Sequence, residues 1–158
     1  MRRFTPIELA IGVALLGSVC AIAIPAFVRE LHASRFSEPV DALGRMSMSA
    51  IHYAEQNHKL PDSAPLTPPA PARGKRESFP ADLWSHPTWR ALEFQAAPDG
   101  VPFAFAYEFE SQPAGFVCRA HGDLDGDGVL STFEVRGTAA PGEPLKIERG
   151  MYVEQELE

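Results

Sequence analysis

Polar and apolar positions divide this chain into an unpatterned apolar stretch, a stretch of helical period and a stretch that alternates. Leu9–Val28 runs for twenty residues without a charge. As a helix it rises about 30 Å, the thickness of a bilayer's hydrocarbon core, which predicts a membrane-spanning segment. Beyond it, Phe36, Val40, Leu43, Ser47, Ile51 and Ala54 recur at spacings of three and four, an amphipathic stripe suited to packing on a sheet. Ser37-Glu38-Pro39 interrupts the stripe. Ser37 can cap a restarted helix with Pro39 in its first turn, so the pattern predicts one long, bent helix over residues 5–59.

Leu60–Pro80 holds Pro61, Pro65, Pro68, Pro69, Pro71 and Pro80 with a basic cluster of Arg73, Lys75 and Arg76. It predicts an extended connection without regular structure and a solvated basic run. A short helix follows, with Ser85 as its cap, Pro87 near its start, and Trp89 and Leu92 on one side. The tryptophans and His86 read as packing for a head domain, with a ligand cage as the alternative. Phe103, Phe105, Tyr107 and Phe109 then alternate with Ala104, Ala106, Glu108 and Glu110, the period of a half-buried strand. Phe116–His121, Val129–Arg136 and Leu145–Val153 predict three more strands. Helices followed by turn-separated strands indicate an α+β fold, a small antiparallel sheet packed on the amphipathic half of the long helix.

The 158 residues and 17.2 kDa allow one modest domain plus an anchor. Charge is lopsided: residues 1–98 carry 10 basic and 9 acidic groups, residues 99–158 carry 4 and 12. An acidic carboxyl-terminal part argues against binding nucleic acid, which takes Lys and Arg to replace counterions. Two cysteines, Cys20 in the apolar run and Cys118 in a strand, are too few for a disulfide scaffold. No GxSxG, HExxH, P-loop or dinucleotide fingerprint is present, and the five histidines show no metal-ligand spacing. The sequence therefore gives no reason to expect an enzyme, and no cofactor is required.

The amino-terminal run admits three readings. A cleaved secretory signal could use Ala21-Ile22-Ala23, but Pro25 follows closely and the apolar run continues past it. A lipoprotein signal would place its lipid on Cys20, with Gly17 and Val19 poorly suited ahead of it. A retained helix makes Glu8 informative, because a carboxylate at the margin of a membrane helix is costly and calls for a partner. No Lys or Arg within the helix can serve, so the expected partner is water, a headgroup or another chain. Arg2 and Arg3 favour a cytoplasmic start.

Phe4-Thr5-Pro6-Ile7-Glu8-Leu9, followed by an apolar helix containing Ala21-Ile22-Ala23-Ile24-Pro25-Ala26-Phe27, resembles the amino-terminal signature of type IV pilins and type II secretion pseudopilins. The resemblance implies that a prepilin peptidase cuts between Arg3 and Phe4 and that the new Phe4 amine is methylated. It implies that Glu8 pairs with the terminal amine of a neighbouring subunit, and that Pro25 loosens the helix. Two positions depart from the family pattern: Arg3 stands where glycine usually precedes the cut, and Pro6 where leucine is usual.

Asp123-Leu124-Asp125-Gly126-Asp127-Gly128-Val129-Leu130-Ser131-Thr132-Phe133-Glu134 fits the twelve-residue EF-hand pattern. Asp123, Asp125, Asp127, the Val129 carbonyl, Ser131 or its water, and a bidentate Glu134 could together hold a structural calcium. The competing reading is a hairpin turn in which Gly126 and Gly128 supply positive φ and the acids face water. The strand-like flanks favour the turn.

The layout expected from these readings is a leader over 1–3, a membrane or filament-core helix over 4–28 and an amphipathic helix over 29–59. A Pro-rich loop over 60–80 and a head of short helix and sheet over 81–158 complete it. The resemblance implies a structural subunit, a major or minor pilin or a pseudopilin, that waits in the bacterial inner membrane with its amino terminus cytoplasmic. It then polymerises with other subunits into a periplasmic or cell-surface filament, serving secretion, adhesion or motility. Its implied partners are those subunits, the prepilin peptidase, the inner-membrane assembly machinery and the membrane. The alternative is a membrane-anchored, extracytoplasmic calcium-binding module that does not polymerise.

Overall fold

Long apolar and amphipathic runs without a helix-stopping turn produce one helix, α1 (Pro6–Asn57), in the computed structural model, which describes residues 5–140 and 142–155. The chain divides into two compact units, residues 1–37 and residues 38–158, and α1 contributes to both. The helical assignment passes through Pro25 and Pro39 without a break and ends where His58 takes φ 54°, the left-handed turn that follows many helices.

Within the first unit, Pro6–Phe27 is long and apolar enough to cross a membrane (22 residues). Its described large side chains, among them Ile7, Leu15, Ile22 and Phe27, are exposed. Ser18 satisfies its hydroxyl inside the run by donating to the Ala14 carbonyl at 2.9 Å.

In the second unit the chain adds β1 (Ala64–Thr67), a 3-10 turn over Ala81–Trp84, α2 (Pro87–Ala91), β2 (Ala106–Gln112), β3 (Gly115–Gly122) and β4 (Ser131–Thr138). Two short strands, β5 (Lys146–Ile147) and β6 (Tyr152–Glu154), close the order. The sheet is antiparallel throughout. Its order is β1-β2-β3-β4, with β5 and β6 both on the far side of β4. Register aligns Tyr107, Ala120 and Phe133 in one row and Phe109, Cys118 and Val135 in the next, and all six are buried. Phe116 lies opposite Gly137, where a Cβ would stand 2.3 Å from its ring. Only glycine leaves Phe116 room to stack on Phe109 at 5.7 Å between centroids.

The helix buries Pro39, Ala42, Leu43, Met46, Ser47 and Ala50. This face is turned from the expected one, since Val40 is 44% exposed. Leu43, Met46 and Pro39 supply the bulk of this face, with Ala42, Ser47 and Ala50 between them. Arg45 fastens this half of α1 by donating to the Gln95 and Ala96 carbonyls at 3.1 and 2.9 Å while lying over the Phe94 ring.

Several expectations change. The 60–80 segment is not structureless: β1 pairs with β2 inside it, and Pro65, which lacks an N–H, is tolerated because β1 is an edge strand. Thr67 holds that edge by accepting the Trp89 indole N–H at 2.9 Å. The basic run is solvated as expected, and it also carries ion pairs, Arg76 with Glu38 at 3.2 Å and Lys75 with Glu77 at 3.4 Å. His86, not Ser85, caps α2, accepting the Thr88 N–H on Nδ1, while Ser85 ends the preceding 3-10 turn. The expected last strand splits into β5 and β6 around Gly150, whose φ is 98°. Trp84, Trp89, Phe94, Phe103 and Tyr107 fill one another's space through tilted and edge-to-face contacts of 5.4–6.4 Å, so the tryptophans pack. The Tyr107 hydroxyl inside this cluster is buried with no hydrogen-bond partner among the described residues.

A second clasp comes from Glu38. Its Oε1 accepts the N–H groups of Ala104 and Phe105 at 2.8 and 3.2 Å, and its Oε2 faces Arg76. This explains why β2 begins at Ala106 although the alternation begins at Phe103. The intervening N–H groups are taken by a carboxylate instead of a strand.

Candidate functional site

At the amino terminus, Arg3 and Phe4 lie outside the described residues, so the proposed cleavage point carries no geometry. Glu8 is described, and it has a partner within its own chain. The Thr5 backbone N–H and the Thr5 hydroxyl both donate to Glu8 Oε2, at 2.8 and 2.9 Å, and the Glu8 N–H donates back to Thr5 Oγ1 at 3.3 Å. This is a capping box. Its signal, Thr-x-x-Glu at the start of an apolar run, was present in the sequence, yet the partner was sought only in water, headgroups or another chain. The box puts two donors on Oε2, and neither of them is a cation. Pro25 is exposed in the interior of α1.

The second candidate is the turn between β3 and β4. Gly126 and Gly128, at φ 88° and 95°, allow it to close. Asp123 Oδ1 accepts from Gly126 N–H at 2.8 Å, Asp125 Oδ1 from Asp127 N–H at 3.1 Å, and Asp127 Oδ1 from Val129 N–H at 2.7 Å. One carboxylate oxygen from each aspartate lies within 4.8 Å of the others, with Asp123 buried and Asp125 and Asp127 exposed. The 60–80 segment docks on this turn. Gly74 N–H donates to the Asp123 carbonyl at 2.8 Å, and Arg73 Nε lies 3.9 Å from Asp123 Oδ2.

Two further members of the twelve-residue set, Ser131 and Glu134, are engaged elsewhere. Ser131 is fully buried at the start of β4 and donates its hydroxyl to the Gly122 carbonyl at 3.2 Å. Glu134 stands opposite Arg119 in the β3–β4 register and holds Arg119 Nε at 2.6 Å and Arg136 Nε beside it. A strand that starts at Ser131 carries Glu134 onto the charged face of the sheet, whereas an exiting helix would swing it back over the turn. The three aspartates suit a hard cation, and the Val129 carbonyl follows them in the chain. The twelfth ligand is committed to arginine.

Glu134 belongs to a network that the sequence reading missed. Arg119 reaches Glu108 at 2.7 Å and Glu110 at 2.9 Å as well as Glu134. The signal lay in the same alternation: the residues between the buried aromatics of β2 are glutamates, and the register sets Glu108, Arg119 and Glu134 in one row. Burial alone would raise the Glu134 carboxyl, but hydrogen bonds from Arg119 and Arg136 hold it below its ordinary value of 4.5. Glu110 is likewise lowered, by hydrogen bonds from Gln112 and Arg119. Burial lowers the neighbouring His121 below 6.5.

These shifts fix a sign for the pH dependence. A histidine with a depressed folded value loses stability as pH falls, because the unfolded chain takes up the proton first. Carboxylates with depressed values contribute stability above 4.5 that is lost as pH falls through their folded values. The head is expected to be most stable near pH 7, to weaken as pH drops below 6.5, and to weaken more steeply below 4.5. Urea unfolding followed by tryptophan fluorescence at pH 7, 5.5 and 4 checks this, since both tryptophans lie in the head. A midpoint unchanged from pH 7 to 4 would remove the network from any account of stability.

Comparison with family models, with curated proteins and with solved structures finds no match for this chain.

Proposed function

We propose that this chain is a structural subunit of a type IV pilin-like or type II secretion pseudopilin-like filament, held in the inner membrane before assembly. The observation that carries the reading is the run Phe4-Thr5-Pro6-Ile7-Glu8-Leu9 leading into a 22-residue apolar segment, Pro6–Phe27, whose described large side chains are exposed. Such a surface is stable only when lipid or other apolar chains cover it. In the subunit state, lipid covers the helix, Thr5 caps Glu8, and Arg2 and Arg3 keep the amino terminus cytoplasmic. In the filament, equivalent helices cover one another, and Glu8 exchanges a neutral cap for the Phe4 ammonium of a neighbour. Two desolvated charges of opposite sign compensate each other only where they meet, so the pair selects one stagger between subunits. The head then decorates the filament and sets its outer contacts. The chemistry of the chain is polymerisation, with no catalytic step.

Intact-mass and amino-terminal analysis of protein from native membranes tests this reading. A terminus at Phe4, with or without an added methyl group, is the expected result despite Arg3 in the preceding position. An intact Met1, or a start after Ala23, would overturn it.

A second reading, an anchored head that holds calcium without polymerising, is favoured by the convergence of Asp123, Asp125 and Asp127. Extracellular calcium modules bind at about 10⁻⁴ M, so about 10 mM calcium would stabilise the head by roughly 2.7 kcal/mol. This reading predicts a melting temperature that rises by several degrees with calcium in the wild type. The shift would be absent once all three aspartates are changed to asparagine. No shift in the wild type would leave the aspartates as turn formers.

A further inference from the structure

We draw no further inference here: the strongest candidate, the three-aspartate cluster in the β3–β4 turn beside Arg73, belongs to the site already described, and each of its carboxylates already accepts a backbone N–H of its own turn, so nothing there points to another ligand.

Discussion

Glu8→Ala is expected to abolish filament assembly while the protein stays in the membrane and its head melts as in the wild type. A carboxylate in a membrane helix costs up to about 2.5–3.5 kcal/mol, less near the edge. Removing it therefore leaves the anchored subunit at least as content in lipid. On the proposed role, what the variant loses is the compensated charge pair of the assembled state. Deleting one partner of a desolvated pair costs about 3–5 kcal/mol, or roughly 10²- to 4 × 10³-fold in an assembly equilibrium.

The capping box makes a sharper version of the test available. Glu8→Gln retains a side-chain oxygen that can accept from the Thr5 N–H and hydroxyl, as Glu8 Oε2 does, and loses only the charge. If charge pairing is the role, Gln fails to assemble as Ala does. Wild-type filaments from Glu8→Gln alone would reduce Glu8 to a helix cap, and wild-type filaments from Glu8→Ala would remove it from assembly. Filament yield by electron microscopy and membrane-retained subunit by immunoblot give the two readouts.

The second large effect is expected at Glu38. Glu38→Ala strands two backbone N–H groups, those of Ala104 and Phe105, in a region where both residues are buried, and leaves Arg76 without its carboxylate. Each buried donor left unpaired costs about 1–3 kcal/mol, so the two together should cost the head about 2–6 kcal/mol. That is a large share of the roughly 5–15 kcal/mol that holds a domain together. Glu38→Gln keeps one oxygen, and in the wild type a single oxygen accepts both N–H groups, so it should lose little beyond the Arg76 ion pair. Arg76→Ala should cost less than about 1 kcal/mol, because Arg76 is 54% exposed and its ion pair is screened. Urea unfolding of the three variants checks the order. Equal costs for Glu38→Ala and Arg76→Ala would mean that the ion pair, and not the backbone clasp, is what Glu38 contributes.

The main elements were legible in the sequence because their signals are local. A long run of apolar residues, a stripe of helical period and a strict alternation each name their element without reference to the rest of the chain. Contacts made across the chain left weaker traces. Glu38 read as part of a helix restart, since nothing near it announces two donors 66 and 67 residues away. β1 hid among prolines because an edge strand tolerates a residue without an N–H, so the usual breaker signal misleads there. At the amino terminus Glu8 stood out by its charge, while Thr5, uncharged and common, did not. In the acidic turn the residue pattern matched a calcium loop through Glu134. Pattern alone cannot register that Arg119 and Arg136 stand on the same face of the sheet as that glutamate.

Cys118 sits in the middle of β3, fully buried, with burial pushing its thiol well above the ordinary value. Cys20 lies in the apolar half of α1, so Cys118 is the head's own thiol. Thiolate is the reactive form, and a protonated, inaccessible sulfur neither exchanges with oxidants nor couples to a second chain. A head built this way can work in an oxidising compartment without a disulfide and without the hazard of an unpaired cysteine. The sulfur becomes reachable only when the packing over its face of the sheet opens. The rate at which an alkylating reagent modifies Cys118 in folded protein therefore reports how often the core over β3 opens.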